Sequence, residues 1–325
     1  MRNLCSLTRW DQAIVQYLAS RRALGRAYLS EEWILGTLRR CLVDEQASDL
    51  DQLHFDRWRQ TLHHLNPNTR RARERTVFNF CRYRRRTEPH CFVPNPLTFA
   101  RQRAYGRATI IAPAQIASLL TLASALPCVR QSPLQPFVMR LAIVLLYTAG
   151  LRRGELVRLC LEDVDPVAGV LRIRESKFHK SRWVPLSPSA CAELRRYLVV
   201  RTQRQFPTGP TAGLLITGQR SRQGYSGAGL AMSIRRLLVA AGIHDSQGRP
   251  PRTHDFRHSF AAGALLRWYQ AGADVQSSLP KLALYMGHVS IASTAYYLRC
   301  LPGVAEQASS RFEQRYGRVL LGDAR

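Results

Sequence analysis

Lysine is nearly absent from this sequence of 325 residues. Of its 48 basic side chains of lysine and arginine, only three are lysine, at positions 177, 180 and 281. We attribute the bias mainly to codon composition. Because an arginine cannot release a proton near neutral pH and a lysine can, any lysine that remains gains weight as a candidate proton donor.

Acidic residues are also scarce. The 22 aspartates and glutamates leave a formal net charge of +26, and 46% of the residues are hydrophobic. That much apolar content places the charge on a folded body rather than on a disordered tail. The excess predicts a polyanionic partner, with nucleic acid as the first candidate. The alternative is a basic surface kept for solubility.

Close cysteine pairs and long apolar runs are missing. The eight cysteines are never closer than ten residues, which excludes C-x-x-C metal and redox pairs. The longest apolar run, 137–149, is too short to span a bilayer and contains Arg140. No signal peptide opens the chain, and the glycines at 224–229 do not form a nucleotide-binding loop. We therefore expect a soluble, cytoplasmic protein that needs no cofactor and does not associate with a membrane.

The length predicts two domains, and residues 1–92 have the pattern of a helical one. Apolar residues recur at helical spacing, for example at Leu18, Trp33 and Phe55. A fourth helix, from about 68 to 86, combines apolar core residues with eight arginines and makes a candidate phosphate-binding surface. Its alternative is a solvated charged face. The DNA-contact candidates on it are Arg70, Arg71, Arg75, Arg82 and Arg86.

Residues 93–112 interrupt the helical pattern with prolines at 94 and 96 and a basic stretch. We interpret this segment as a linker, with an ordered loop packed on one domain as the alternative. Two domains joined by a flexible basic linker can close around DNA. The second domain then covers residues 113–325.

The second domain is predicted to be helical, with one β-hairpin. An apolar helix at 136–148 leads into Arg152, and Glu155 lies three residues further on, where it can orient that arginine. Alternating segments at 169–174 and 182–186 form the hairpin, and its turn carries Lys177 and Lys180.

Four residues near the end of this domain indicate oxyanion chemistry. His254 and Arg257 lie three apart at the start of a predicted helix, which Thr253 can cap and where an anion is favoured. His288 follows the helix-stopping Gly287, and Tyr297 comes nine residues later. Two histidines, an arginine and a tyrosine suggest a phenol acting as nucleophile.

These motifs resemble those of the tyrosine recombinases, the phage integrase family. The chain reads T-A-G-L-R-R-G-E-L at 148–156, then H-x-x-R, G-H and the tyrosine about a hundred residues later. The resemblance implies a mainly α fold with a small antiparallel β-sheet. It also implies two domains: a helical core-binding domain and a catalytic domain with the DNA breaking-rejoining enzyme fold.

The resemblance further implies a metal-independent reaction. Tyr297 would attack the scissile phosphate and form a 3′-phosphotyrosine, while Arg152 and Arg257 neutralise its oxygens. His254 and His288 would position the phosphate or transfer protons. Lys177 would protonate the departing 5′ oxygen, a role for which Lys180 is the competitor, with a DNA contact as the other role of either lysine.

The partners implied are double-stranded DNA and further copies of the chain, assembled as a tetramer around a Holliday junction. A directionality factor or related recombinases could take part. In relatives a tail helix docks on the neighbouring subunit; here a helix at about 304–316 could do so, or fold back on its own core. The implied task is integration, excision or transposition of a mobile element.

Several alternatives remain open at this level. Tyr296 competes with Tyr297 as nucleophile, although only one phenol of two adjacent helix positions can face the phosphate. His254 and His258 could hold a metal in a nuclease, but Arg257 would repel a cation. A non-catalytic DNA-binding relative and a type IB topoisomerase complete the set.

Overall fold

The computed structural model describes residues 2–103, 108–174, 181–218 and 224–288, with side chains from residue 9 onward. The chain divides into two compact units, Met1–Gly106 and Arg107–Arg325. Each is mainly helical in its described part, and the second also contains a small antiparallel sheet. The predicted fold class is confirmed.

The first unit packs its helices around an aromatic core. Five large aromatic side chains are almost fully buried there: Trp10, Tyr17, Phe55, Trp58 and Phe80. Burying one such side chain stabilises a fold by roughly 1.5–3 kcal/mol, so this small unit has a sizeable core of its own. Its helices are α1 (Arg2–Ala23), α2 (Leu29–Asp44), α3 (Gln52–Thr61) and α4 (Pro67–Arg84).

The prediction that Trp33 belongs to this core is wrong. Trp33 is 52% exposed, and the guanidinium of Arg73 lies 4.6 Å from its ring centroid. The buried stripe of α2 starts one residue later, at Ile34, and adjacent helix positions point about 100° apart. The cation over the ring stabilises an aromatic side chain that faces water.

Part of the predicted linker is ordered against the first unit. Phe99 is buried in its aromatic core, and a short 3-10 turn covers Pro96–Thr98. The fully buried carboxylate of Glu74 accepts the backbone N–H of Ala100 at 2.9 Å. At the other end of the interval, Ile111 is buried in the core of the second unit. The two ends of 93–112 therefore pack on different units, and the choice between a linker and a loop packed on one domain stays a prediction.

The second unit is built around one buried helix, α6. Its inward residues from Val138 to Leu146 are almost all inaccessible, and α5, α7, α8, α9 and α10 pack around it. The apolar run at 137–149 is thus the centre of a globular core. The helices are α5 (Pro113–Ser124), α6 (Gln135–Thr148), α7 (Arg153–Arg158), α8 (Pro188–Gln203), α9 (Gly227–Ala240), α10 (Thr253–Gln270) and α11 (Val275–Met286).

The sheet contains the predicted hairpin and one short additional strand. Strand β2 (Val170–Ile173) pairs antiparallel with β3 (Arg182–Pro185), and β1 (Val164–Asp165) pairs with β2. In the register, Leu171 lies opposite Val184, and both face the core. The hairpin turn, with Lys177 and Lys180, lies outside the described residues.

Within the described ranges, no helix is both long enough and apolar enough to cross a membrane.

Candidate active site

Three arginines converge on the C-terminal end of α11. They come from the start of α7, from β3 and from α10. Each donates a hydrogen bond to one of three consecutive backbone carbonyls. The pairs are Arg182 Nε to Tyr285 O at 2.8 Å, Arg257 Nη2 to Met286 O at 2.5 Å, and Arg152 Nη2 to Gly287 O at 2.7 Å. The last carbonyls of a helix lack partners within the helix and carry its negative dipole end, so they attract cations.

Glu155 holds two of these arginines in place. Its side chain is 1% exposed and accepts both terminal nitrogens of Arg182 at 2.9 Å and Nη1 of Arg152 at 2.7 Å. Burial would raise the pKa of this carboxyl, but the hydrogen bonds and charge of Arg182, followed by those of Arg152, lower it to about 2. Glu155 is therefore ionised at neutral pH and orients Arg152, as its spacing predicted.

Arg257 is almost completely buried and connects the end of α11 with the segment that precedes α7. Besides its bond to α11, its Nη1 donates to the carbonyl of Gly150 at 2.6 Å. Gly150 has φ of 58°, and a Cβ there would lie 2.5 Å from the ring of Phe260. Only glycine combines this left-handed backbone with so close an aromatic neighbour, which explains its position in the 148–156 motif.

The site histidines are neutral at pH 7. Burial, followed by the charge of Arg257, lowers the pKa of His288 to about 4, with smaller effects from Arg152, His254 and Arg182. The pKa of His254 is also lowered, by loss of hydration and then by Arg257, although part of its ring is exposed. Both imidazoles are therefore within range of the charges of Arg152 and Arg257. A neutral imidazole can accept a proton or donate one hydrogen bond.

His258 packs against His254 as a neighbouring ring. The two imidazole centroids are 4.7 Å apart in an edge-to-face arrangement, and burial, followed by the charge of His254, lowers the pKa of His258 to about 4. Among the residues that the structure describes, no group of three or more histidine, cysteine or acidic side chains is arranged to hold a metal ion.

One predicted detail of α10 is wrong. The helix begins at Thr253, so this residue is inside the helix rather than at its cap. The carboxylate of Asp255 instead accepts the backbone N–H of Arg252 at 2.7 Å. An acid at the third helical position satisfies an otherwise unpaired donor at the helix start, as a capping box does.

The structure thus brings together Arg152, Glu155, His254, Arg257 and His288. The described residues do not include Tyr297, Tyr296, Lys177, Lys180 or the predicted tail helix.

Arg182 is the site residue that the sequence reasoning missed. Strand alternation places it on the same face as the buried Val184, and its side chain is only 10% exposed. A charged residue on the inward face of a strand requires a buried partner. That rule, applied to R-W-V-P-L at 182–186, could have identified it.

The basic helix α4 is partly a structural element. Arg84, one of its six arginines, is 3% exposed and bonded to Asp49 and Glu88. Of the DNA-contact candidates, Arg70 and Arg71 are half-buried, and Arg71 donates to the carbonyl of Ala100 at 3.0 Å. The exposed candidates are Arg75, Arg82 and Arg86.

Comparison with known proteins places this site in a family. The model of the phage integrase family matches residues 111–302. The Sinorhizobium fredii protein y4rB, named as an integrase/recombinase, is 34% identical over 95% of this chain and 99% of its own. The chain therefore belongs to the phage integrase family, and it is a tyrosine recombinase, a DNA strand transferase. The predicted family is confirmed.

Solved structures show the same fold at lower sequence identity. The Tn1549 transposon integrase in complex with a circular intermediate DNA matches 93% of this chain and 98% of its own, with a TM-score of 0.63 and 18% identity. A lambda integrase dimer bound to a core site matches 88% of this chain and 95% of its own, with a TM-score of 0.59 and 20% identity. The fold therefore extends beyond the region that the family model matches.

Proposed function

We propose that this protein is a site-specific DNA recombinase that cuts and rejoins strands through a 3′-phosphotyrosine at Tyr297, without a metal ion. The observation that carries the proposal is the convergence of Arg152 and Arg257 on adjacent carbonyls, beside two neutral histidines. Two fixed guanidinium groups can balance the charge that develops on the non-bridging oxygens of a phosphate.

In the proposed reaction the phenolic oxygen of Tyr297 attacks phosphorus, and the bond from phosphorus to the 5′ oxygen breaks. The phenol proton passes to His254, whose lowered pKa favours the neutral form needed to accept it. Lys177 gives a proton to the departing 5′ oxygen, and His288 positions the phosphate. The 5′ hydroxyl of another duplex reverses the step, because the phosphotyrosine ester retains the bond energy, so no ATP is required.

The proposed partner is double-stranded DNA, bound by both units. Arg75 and Arg82 are exposed on α4 and Arg86 is exposed just after it, and these three are the strongest contact candidates of the first unit, followed by Arg70 and Arg71. Lys180 is a further candidate. Related recombinases have been solved on DNA, one of them as a dimer, which supports assembly of several copies on DNA. We propose a tetramer during strand exchange, with or without a directionality factor or a related recombinase.

The proposed task is integration, excision or transposition of a mobile element. The similarity to the Tn1549 transposon integrase supports this class of task through the fold alone.

Trapping the covalent intermediate tests this function. Nicked duplexes that tile the DNA flanking the coding sequence would be incubated with the protein in EDTA and separated on denaturing gels. A protein–DNA adduct is expected with the target duplex, absent for Tyr297→Phe and retained for Tyr296→Phe. Cleavage that requires added Mg²⁺ and leaves no adduct would instead favour the metal-dependent nuclease.

The identity of the acid can be tested on the same substrate. A sulfur in place of the bridging 5′ oxygen makes a leaving group that needs no proton. We therefore expect Lys177→Ala to be slow on the oxygen substrate and restored on the sulfur substrate. Lys180→Ala is the matched control, and restoration of that variant alone would reassign the acid to Lys180.

A further inference from the structure

An open cleft lies beside His254, away from the end of α11. It has a volume of about 490 Å³ and is bounded by the start of α7, one face of α9 and the chain that precedes α10. Three arginines line it, Arg153, Arg235 and Arg252, together with His254. Among the described residues that line this cleft, none is acidic. We refer to it as the arginine cleft.

The floor of the arginine cleft is apolar. Ile234 and Leu238 are buried beneath it, and Pro250 and Pro251 form one wall. A cation beside such a surface is less screened than one in open water, so it attracts an anion more strongly. Arg153 and Arg235 are exposed, and Arg252 keeps an exposed side chain while it pairs with Asp255.

Gly227 helps to place one of these cations. It is the first residue of α9, and a Cβ at this position would lie 3.3 Å from Nε of Arg153. A larger residue here would therefore crowd the guanidinium that lines the cleft. The missing side chain leaves room for Arg153 along the start of α9.

The arginine cleft continues directly from the active site. Arg152 donates to α11, and the next residue, Arg153, lines the cleft with its side chain against α9. Successive phosphates of one strand lie farther apart than the rise of about 3.4 Å per nucleotide along the duplex axis, and two long arginine side chains that diverge from adjacent residues can span such a gap. Neighbouring residues can therefore serve neighbouring phosphates of one DNA strand. His254 borders both places.

We propose that the arginine cleft binds a DNA backbone phosphate next to the scissile one, with Arg153 and Arg235 as its principal ligands. This inference rests on the proposed function, because it takes the phosphate at Arg152 and Arg257 as the scissile one. Contacts to a flanking phosphate carry no sequence information, but they set the register of the strand on the protein. The cleft contributes to binding before the reaction and equally in the transition state.

The test compares the salt dependence of DNA binding with the rate of cleavage. Full-length protein and the target duplex are titrated by fluorescence anisotropy over a series of salt concentrations. Arg153→Gln and Arg235→Gln are each expected to lower the slope of log K against log salt by about 0.9, the value for one lost phosphate contact. The control is Arg130→Gln, which removes an exposed arginine of the same unit outside the cleft and should leave the slope unchanged.

At low DNA concentration both cleft variants should form the covalent adduct more slowly than the wild type, and saturating DNA should recover most of that loss, because the missing contact acts mainly on binding. An unchanged slope, or the same change in Arg130→Gln, would refute the phosphate site in the cleft. Adduct formation in that case would still support the proposed function. A lowered slope in a protein that forms no adduct with any duplex would keep the cleft as a phosphate site and reject the recombinase mechanism. A loss of adduct rate that saturating DNA does not reduce would overturn the assignment as a binding contact. Since both arginines are exposed, melting temperatures should match wild type and identify any variant that misfolds.

Discussion

Replacing Glu155 with glutamine tests whether its charge holds the active site together. The pKa of this carboxyl falls from its ordinary value of 4.5 to about 2. At 1.36 kcal/mol per pKa unit, the ionised form stabilises the folded state by about 3 kcal/mol. Glutamine keeps the shape, but its NH₂ group cannot accept a hydrogen bond. Wherever that group faces an arginine, the arginine loses its acceptor.

The sign of the pH dependence follows from the lowered pKa. The contribution of Glu155 is fully present above pH 4.5 and is lost as the pH falls towards 2, because the unfolded state then binds the proton first. Glu155→Gln should therefore be less stable than the wild type at pH 7, and the difference should shrink below pH 4.5.

Calorimetry measures this effect through the unfolding transition of the second unit. A loss of 3 kcal/mol corresponds to a fall in Tm of roughly 6–12 °C for a domain of this size. Adduct formation measured well below that Tm should slow by about 10- to 100-fold, because Arg152 and Arg182 lose their common anchor.

Glu193→Gln is the matched control. Glu193 accepts two hydrogen bonds from Arg140 at 2.9 Å in the same unit, but it does not contact the site arginines in the interactions described above. This variant should melt earlier than the wild type and still form the adduct at the normal rate. The reasoning about Glu155 fails if Glu155→Gln melts like the wild type at pH 7, or if Glu193→Gln slows adduct formation equally.

Two further predictions concern stability. Gly150 and Gly242 have φ of 58° and 65°, but a Cβ at 150 would lie 2.5 Å from Phe260, whereas nothing lies within 4 Å at 242. Gly242→Ala should cost about 1–2 kcal/mol and Gly150→Ala at least about 1 kcal/mol more, and equal urea midpoints would contradict the steric argument. Stability should also fall as the pH drops from 6.5 towards 4, because the lowered pKa values of His258 and His288 mean that the unfolded state takes up protons first. His258→Gln should flatten a plot of Tm against pH, and a curve that coincides with the wild type would exclude this residue.

The sequence was most informative where a short motif carried both the chemistry and the turn geometry. The motif at 148–156 identified Arg152 and Glu155 three residues apart, and local helix geometry is enough to bring such a pair together. Arg257 was found through its motif as well. Its bonds to Gly150 and Met286 join segments that are distant along the chain, and periodicity alone cannot predict such contacts.

Predictions from the sequence failed for residue types that can be stable both in the core and at the surface. Tryptophan at helical spacing predicted a core position for Trp33, but a surface arginine covers its ring instead. The basic stretch at 68–86 suggested a phosphate-binding surface, although Arg84 within it is buried and pairs with Asp49 and Glu88. The role of Arg182 depends on Glu155 and on the end of α11, 27 and 103 residues away, and only the tertiary structure shows it.

In the contacts described above, three guanidinium groups meet at the end of α11, and the carboxylate of Glu155 pairs with two of them, Arg152 and Arg182. Such crowding of like charge opposes folding while no oxyanion occupies the centre. The DNA-free enzyme is therefore less thermally stable than it could be, but its cations are already in place for the reaction. Sulfate or phosphate ions should raise its melting temperature, and substitutions selected only for heat tolerance should tend to remove these cations and disable the enzyme.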